Sequence, residues 1–176
     1  DGMAHESVLK HPELRARSLV VSSFGKTFHT TGWKLGYCIA PPALSVELRK
    51  VHQYLTFSTV TPMQMAIADF LAECPAHYRE LPAFYQAKRD AFRRGLAGSR
   101  FAVLPCRGTY FQLLDYSALT DEADVAFARR LTVGHGLAAI PVSVFNADGR
   151  DDKVLRFCFA KGEDTLQKAT EILCTL

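Results

Sequence analysis

Two short apolar runs, Leu19-Val20-Val21 and Tyr37-Cys38-Ile39-Ala40, bracket the stretch Ser22-Ser23-Phe24-Gly25-Lys26-Thr27-Phe28-His29-Thr30-Thr31-Gly32-Trp33-Lys34-Leu35-Gly36. Apolar runs of this length read as buried strands. The chain must therefore turn between them through glycines, hydroxyls and two lysines. Open α/β sheets place their ligands at the carboxyl ends of strands. That constrains the first part of the chain to strand, loop, strand, with Lys26 standing where chemistry is expected.

The remainder is organised around this stretch. Pro41-Pro42 ends the second strand, and Leu44, Leu48, Val51 and Leu55 then recur at helical spacing, predicting a helix with one buried face. Tyr54 to Val60 reads as an extended loop. Thr61-Pro62-Met63-Gln64 has the form of a helix start, with Thr61 as N-cap, proline at the first helical position and glutamine three residues on. This helix is expected to line Met63, Ala66, Ile67, Phe70 and Leu71 on one face and to end near Glu73, before Pro75. From His77 to Leu96 the pattern is helical again, with Pro82 marking either a start or a kink, and Gly98 closes it.

Beyond that point the character changes. Strand-like runs at 101–104, 109–114, 137–141 and 154–159 are separated by a helix at 121–133 and closed by another at 163–176. Strands with helices gathered on one face make an α+β unit. The expected organisation is α/β: residues 1–75 end a large α/β domain, and residues 76–176 form a small α+β domain.

Composition narrows the function. The 176 residues are 48% apolar, which suits a globular chain, and 21 lysines and arginines oppose 18 acids for a net charge of +3. So small and scattered a charge argues for neither nucleic acid nor a membrane surface. No apolar run approaches the roughly 20 residues that a transmembrane helix needs. The five cysteines form no CxxC pair, and neither they nor the six histidines show metal-ligand spacing. An odd cysteine count points to a reducing, cytoplasmic compartment. The chain opens at Asp1 rather than methionine and reads as a piece of a longer protein.

Gly25-Lys26-Thr27 invites comparison with a phosphate loop, but that motif needs a glycine five residues before its Gly-Lys pair, and position 20 is Val20. Two readings of Lys26 remain open on residue chemistry: an ordinary solvated loop lysine, or a Schiff-base lysine. The second requires an amine kept neutral by desolvation and a neighbouring cation. Lys34 can supply that cation, and Ser22, Ser23 and Thr27 can supply hydroxyls for a phosphate.

Ser23-Phe24-Gly25-Lys26, followed at fixed distance by Thr31-Gly32-Trp33-Lys34-Leu35-Gly36-Tyr37, resembles the cofactor-lysine signature of the class I/II aminotransferases, pyridoxal-phosphate enzymes of fold type I. The likeness is to the methionine and kynurenine aminotransferase-like branch. It continues through Arg49 to Phe57, Cys106-Arg107-Gly108-Thr109-Tyr110-Phe111 and Leu155-Arg156-Phe157-Cys158-Phe159-Ala160-Lys161, in order and over nearly the whole chain.

The resemblance implies a fold and a set of roles. The chain would be the C-terminal portion of such an enzyme, the end of the pyridoxal-phosphate transferase-like large domain followed by the small domain. Lys26 would hold pyridoxal 5'-phosphate covalently and move the proton at the substrate α-carbon. Ser23 and Lys34 would bind the cofactor phosphate, the lysine as a point charge where many relatives use an arginine fork. Arg156 would take the substrate α-carboxylate through parallel donors. An arginine in so apolar a strand needs a partner in any case. Tyr54 and Phe57 would reach across a homodimer interface toward the partner's site. Amino acids and 2-oxo acids are the implied substrates, with methionine, aromatic amino acids or kynurenine as donors. A cysteine-conjugate β-lyase using the same lysine is an alternative, as is a truncated, non-catalytic binding module. The family's aspartate that keeps the pyridinium protonated would precede Asp1, so residues 1–176 alone are expected to be inactive.

Overall fold

The two apolar runs around the lysine loop form the strands expected of them. In the computed structural model, which describes residues 1–176, a 3-10 turn at Val8–Lys10 and α1 (Pro12–Arg15) precede β1 (Val20–Ser23). The loop then winds through α2 (Phe24–Thr27) and a 3-10 turn at Thr31–Trp33 before β2 (Gly36–Ile39). β1 and β2 pair antiparallel, Val20 opposite Ile39 and Ser23 opposite Gly36. Three helices follow: α3 (Pro42–Leu55), α4 (Thr61–Glu73) and α5 (Pro75–Gly95). Two units of contact result, Gly2–Glu80 and Leu81–Leu176, with Asp1 joining the second. Asp1 belongs there because Arg89 on α5, 7% exposed, donates to both oxygens of its carboxylate.

Within Gly2–Glu80 the helices form where periodicity puts them, but their expected buried faces do not. No residue of α3 is buried, and Leu48, Val51 and Leu55 are 37%, 55% and 80% exposed. On α4 only Ile67 is buried. Apolar spacing reports that a face is meant to be covered; it does not report whether the same chain supplies the cover. The expected capping box is also absent. Val60 is the N-cap of α4, and Gln64 Nε2 donates instead to the Thr59 carbonyl at 2.8 Å. Pro82 lies inside α5 without interrupting it, and the division between the units falls at the adjoining turn, Glu80 to Leu81. A proline there removes one backbone bond of the helical ladder.

The unit Leu81–Leu176 carries the core. Its sheet has the order β3-β4-β6-β5, with β3 at Ala102–Val103, β4 at Phe111–Asp115, β5 at Ile140–Pro141 and β6 at Val154–Cys158, all pairs antiparallel. Residues opposite each other in the ladder share a face, so Gln112 with Phe157 and Leu114 with Leu155 form one side. That side is buried against α5, α6 (Asp124–His135) and α7 (Glu163–Thr175) through Phe92, Leu96, Phe127, Leu131, Leu166 and Leu173. Leu113, Arg156 and Ile140 occupy the other face. α6 ends on Gly136 at φ +65°, where the N–H of Leu137 reaches back to the Leu131 carbonyl at 3.1 Å. This left-handed cap is the reason for a glycine at that position.

Candidate active site

β1 ends at Ser23 and α2 begins at Phe24, so Lys26 is presented within one turn of the strand's carboxyl end. Ser23 caps that turn: its Oγ accepts from the Gly25 N–H at 3.0 Å and lies 3.4 Å from the Leu35 carbonyl. Phe24 N–H donates to the same carbonyl at 3.1 Å. The segment carrying Lys34 is thereby stitched to the segment carrying Lys26. Gly25 is buried, and a Cβ there would meet Thr31 Cα at 3.1 Å.

Lys34 itself sits at φ 55°, ψ 34°, the left-handed region. For a residue with a Cβ this conformation costs about 1–2 kcal/mol. Lys26 and Lys34 are both exposed and form no ion pair. The Thr30 hydroxyl is buried between them in sequence and has no hydrogen-bond partner. Unpaired ammonium groups, free hydroxyls and an orphaned polar atom make a donor set that suits an anionic, phosphate-bearing group. A cavity of about 370 Å³ adjoins the loop, lined among others by Ser22, Ser23, Phe24, Phe28, Tyr37 and Tyr78.

Reasoning from sequence missed His77. Its Nε2 lies 2.7 Å from the Thr27 carbonyl at the end of α2, and its ring stacks on Phe28 at a centroid distance of 5.4 Å. His77 follows Thr27 by 50 residues, so no local motif could have marked it. His29 stands edge-on to it at 5.9 Å and, at φ 56°, is part of the turn.

Tyr54 and Phe57, at the end of α3 and just beyond it, are 87% and 81% exposed. They are not core aromatics in this chain. Phe57 is also left-handed, at φ 65°, and its N–H and that of Thr56 both donate to the His52 carbonyl.

Arg156 belongs to the unit Leu81–Leu176. Its strand neighbours Leu155 and Phe157 are 0% and 3% exposed, but they point to the opposite face of the sheet. The apolar run around Arg156 therefore does not bury it, contrary to the expectation drawn from sequence: alternation of side chains along a strand separates it from those neighbours. What holds it is aromatic. Its Cζ lies 4.2 Å from the Phe111 ring centroid and 4.9 Å from that of Phe145. Its Nε is buried without a partner, and it forms no ion pair. Elsewhere in this unit, burial first, and then Cys158 and Tyr110, push the Tyr85 hydroxyl above the ordinary tyrosine range.

Comparison with known proteins bears on this arrangement. The family described as "Aminotransferase class I and II" matches residues 3–173. A methionine aminotransferase of Escherichia coli is 58% identical over 169 residues, which cover 96% of this chain and 44% of that protein. A kynurenine–oxoglutarate transaminase of Dictyostelium discoideum is 33% identical, covering 100% of this chain and 45% of its own length. Among solved structures, Escherichia coli YbdL, described as having a methionine aminotransferase function, superimposes with a TM-score of 0.95 at 56% identity, over 100% of this chain and 47% of that one. An N-succinyldiaminopimelate aminotransferase of Mycobacterium tuberculosis gives 0.89 at 33% identity, over 99% and 46%. The chain thus spans somewhat less than half the length of the relatives it matches.

Proposed function

Since this chain belongs to the class I and II aminotransferases, we propose that the protein carrying it moves an amino group from an amino acid to a 2-oxo acid with pyridoxal 5'-phosphate, methionine being the favoured donor. The observation that carries this reading is the loop itself: Lys26 one turn past the end of β1, unpaired, tied through the Ser23–Leu35 contact to an unpaired, left-handed Lys34. The preference for methionine rests on the 58% identical relative of that name.

Ser23 and Lys34 would hold the cofactor phosphate, and Lys26 would bind its aldehyde carbon. When bound, the cofactor supplies an electron sink for charge that develops at the substrate α-carbon. The work of the chain's own residues follows from their chemistry. The Lys26 amine, when free, would be the base that takes the proton from the substrate α-carbon and, as its ammonium, the acid that gives a proton back. Such proton transfer contributes about 10²–10⁴-fold to rate. Lys34 would anchor the phosphate as a point charge. Arg156 orients the substrate by its carboxylate. In the second half of the cycle the same groups act in reverse on the 2-oxo acid, so donor and acceptor share one site.

We propose further that residues 1–75 complete the large cofactor domain and residues 76–176 form the small one, in a cytoplasmic homodimer with Tyr54 and Phe57 directed at the partner. The exposure of both aromatics and the five free cysteines support this. No helix is long and apolar enough to cross a membrane.

The test is reduction of the cofactor-loaded full-length protein with borohydride, followed by peptide mapping. A pyridoxyl adduct on Lys26 is expected, and Lys26→Ala should lose the adduct together with at least ~10²-fold of the rate. An adduct on another lysine, or none, would overturn the assignment.

A further inference from the structure

Arg156 is held in an unusual way for a charged residue in a sheet. Its guanidinium lies over two phenylalanine rings, Phe111 on the adjacent strand β4 and Phe145 on the 3-10 turn Ser143–Phe145 that follows β5. Nε is enclosed without a partner, and neither Nη nitrogen is among the enclosed, unpartnered polar atoms. An anion can therefore approach only the end formed by the two Nη groups. That end presents two parallel donors to two carboxylate oxygens.

Phe145 does little for the core. It is 62% exposed, so its ring is not there to bury apolar surface. Its position is nonetheless fixed with care. Asp124, 2% exposed at the first turn of α6, accepts from the Ser143 N–H at 2.8 Å through Oδ2 and from the Ser143 hydroxyl at 2.6 Å through Oδ1. Asp124 is itself held, because its N–H donates to Asp151 Oδ2 at 3.0 Å, and Asp151 Oδ1 accepts from the Lys153 N–H at 2.8 Å. A buried carboxylate spent on two hydrogen bonds to one surface turn sets where that turn points.

We propose that Phe145 is a positioning residue for substrate recognition: its ring, aimed by the Asp124–Ser143 clamp, fixes the Arg156 guanidinium with its Nη edge open to the substrate carboxylate. This rests on the assignment of Arg156 as the carboxylate-binding group. A flat cation over a ring keeps its charge, is attracted to the ring's negative face and loses rotational freedom before substrate arrives. The ordering is then complete before the carboxylate binds. Phe111 contributes the second ring but is also a ladder residue of β4, so Phe145 is where the effect can be isolated.

The experiment uses the cofactor-loaded full-length enzyme and two probes: 4-methylthiobutanoate, which has the carboxylate but no amino group, and its neutral primary amide. Phe145→Leu should weaken binding of the acid, and raise the KM for the amino acid, by about 3–10-fold, with the amide unaffected. kcat should change by less than about twofold, since a contact made equally in ground and transition states appears in KM. Phe145→Tyr, which keeps the ring, should retain wild-type binding. In an Arg156→Ala background, Phe145→Leu should have no further effect, because a residue acting through another has nothing left to act on.

An undiminished loss from Phe145→Leu in that background would show that the ring contacts substrate directly and would overturn the proposal. So would equal losses in the leucine and tyrosine variants, or a melting temperature lowered by several degrees in Phe145→Leu, which would put the ring in the service of the fold. If Arg156→Ala weakens the acid but Phe145→Leu does not, the inference fails and the role of Arg156 stands. If Arg156→Ala leaves acid binding unchanged, the assignment of Arg156 fails and takes the inference with it.

Discussion

A Cβ built on Gly36 would lie 2.7 Å from the Ser22 carbonyl oxygen, a backbone atom with no freedom to move aside. The strand pair that delivers Lys26 is therefore closed by a residue chosen for what it lacks. Gly36→Ala should push β2 away from Ser22 and Ser23, destabilise the full-length protein by about 1–3 kcal/mol and loosen its cofactor. Denaturant unfolding of the two proteins, with and without added cofactor, measures both effects; an unshifted midpoint would mean the strands can separate without cost. This requirement was half legible in the sequence. Three glycines in the loop announced tight turns, but only the register, Ser23 opposite Gly36, shows that Gly36 serves close strand approach rather than a positive φ. That Lys26, Ser23 and Lys34 share one loop was legible because one local segment carries them all. His77 and Phe145 were not, since each reaches its partner from a distant part of the chain.

Elements were legible where a pattern needs only itself. Helices α3 to α7 and all six strands lie close to their expected places, whereas the short α2 within the lysine loop was not foreseen, because periodicity and β-branched or aromatic content act within a few residues but leave a single turn unmarked. What failed was the choice of partner: the stripe on α3, the box expected at Thr61, and the surroundings of Arg156. The start of α6 shows the same dependence on distance. Its first N–H, on Asp124, finds no local side-chain cap and is satisfied by Asp151 from the loop before β6. Burial of Asp151 acts to raise its pKa, but the N–H groups of Lys153 and Asp124, with the Lys153 ammonium, outweigh it and hold the carboxyl below its ordinary value of 3.8. A depressed carboxylate stabilises the fold above its unfolded pKa, and that contribution is lost as pH falls through the folded pKa. Wild-type stability should thus decline as pH drops below about 4, and Asp151→Asn, which has no proton to gain, should show a shallower decline. Unfolding midpoints from neutral pH down to the acid limit test this; parallel slopes for the two proteins would remove Asp151 from the account.

For the whole chain the informative contrast lies between the two units taken separately. Sixteen of the buried apolar side chains belong to Leu81–Leu176, whereas Gly2–Glu80 buries only Leu35 and Ile67 to that degree. Meanwhile Val21, Tyr54, Leu55 and Phe57 are all more than three-quarters exposed in the first unit. A unit of this size stabilises itself by removing apolar surface from water, at roughly 25 cal/mol per Å², against about 1–2 kcal/mol of backbone entropy per residue. With so little buried, Gly2–Glu80 cannot balance that entropy from its own contacts. The chain spans 44% of the methionine aminotransferase it resembles, and its first unit leaves this apolar surface uncovered. Hydrogen exchange on residues 1–176 expressed alone should therefore separate the units. Amides of β4, β6, α6 and α7 should be protected, and those of α3 and α4 should exchange at rates near those of an unfolded chain. In the full-length, cofactor-loaded protein α3 and α4 should gain protection, because the apolar stripe read from Leu44, Leu48, Val51 and Leu55 then has its cover. Equal protection of both units in the 1–176 chain would mean that α3 and α4 are stable as they stand, and that the stripe has another purpose.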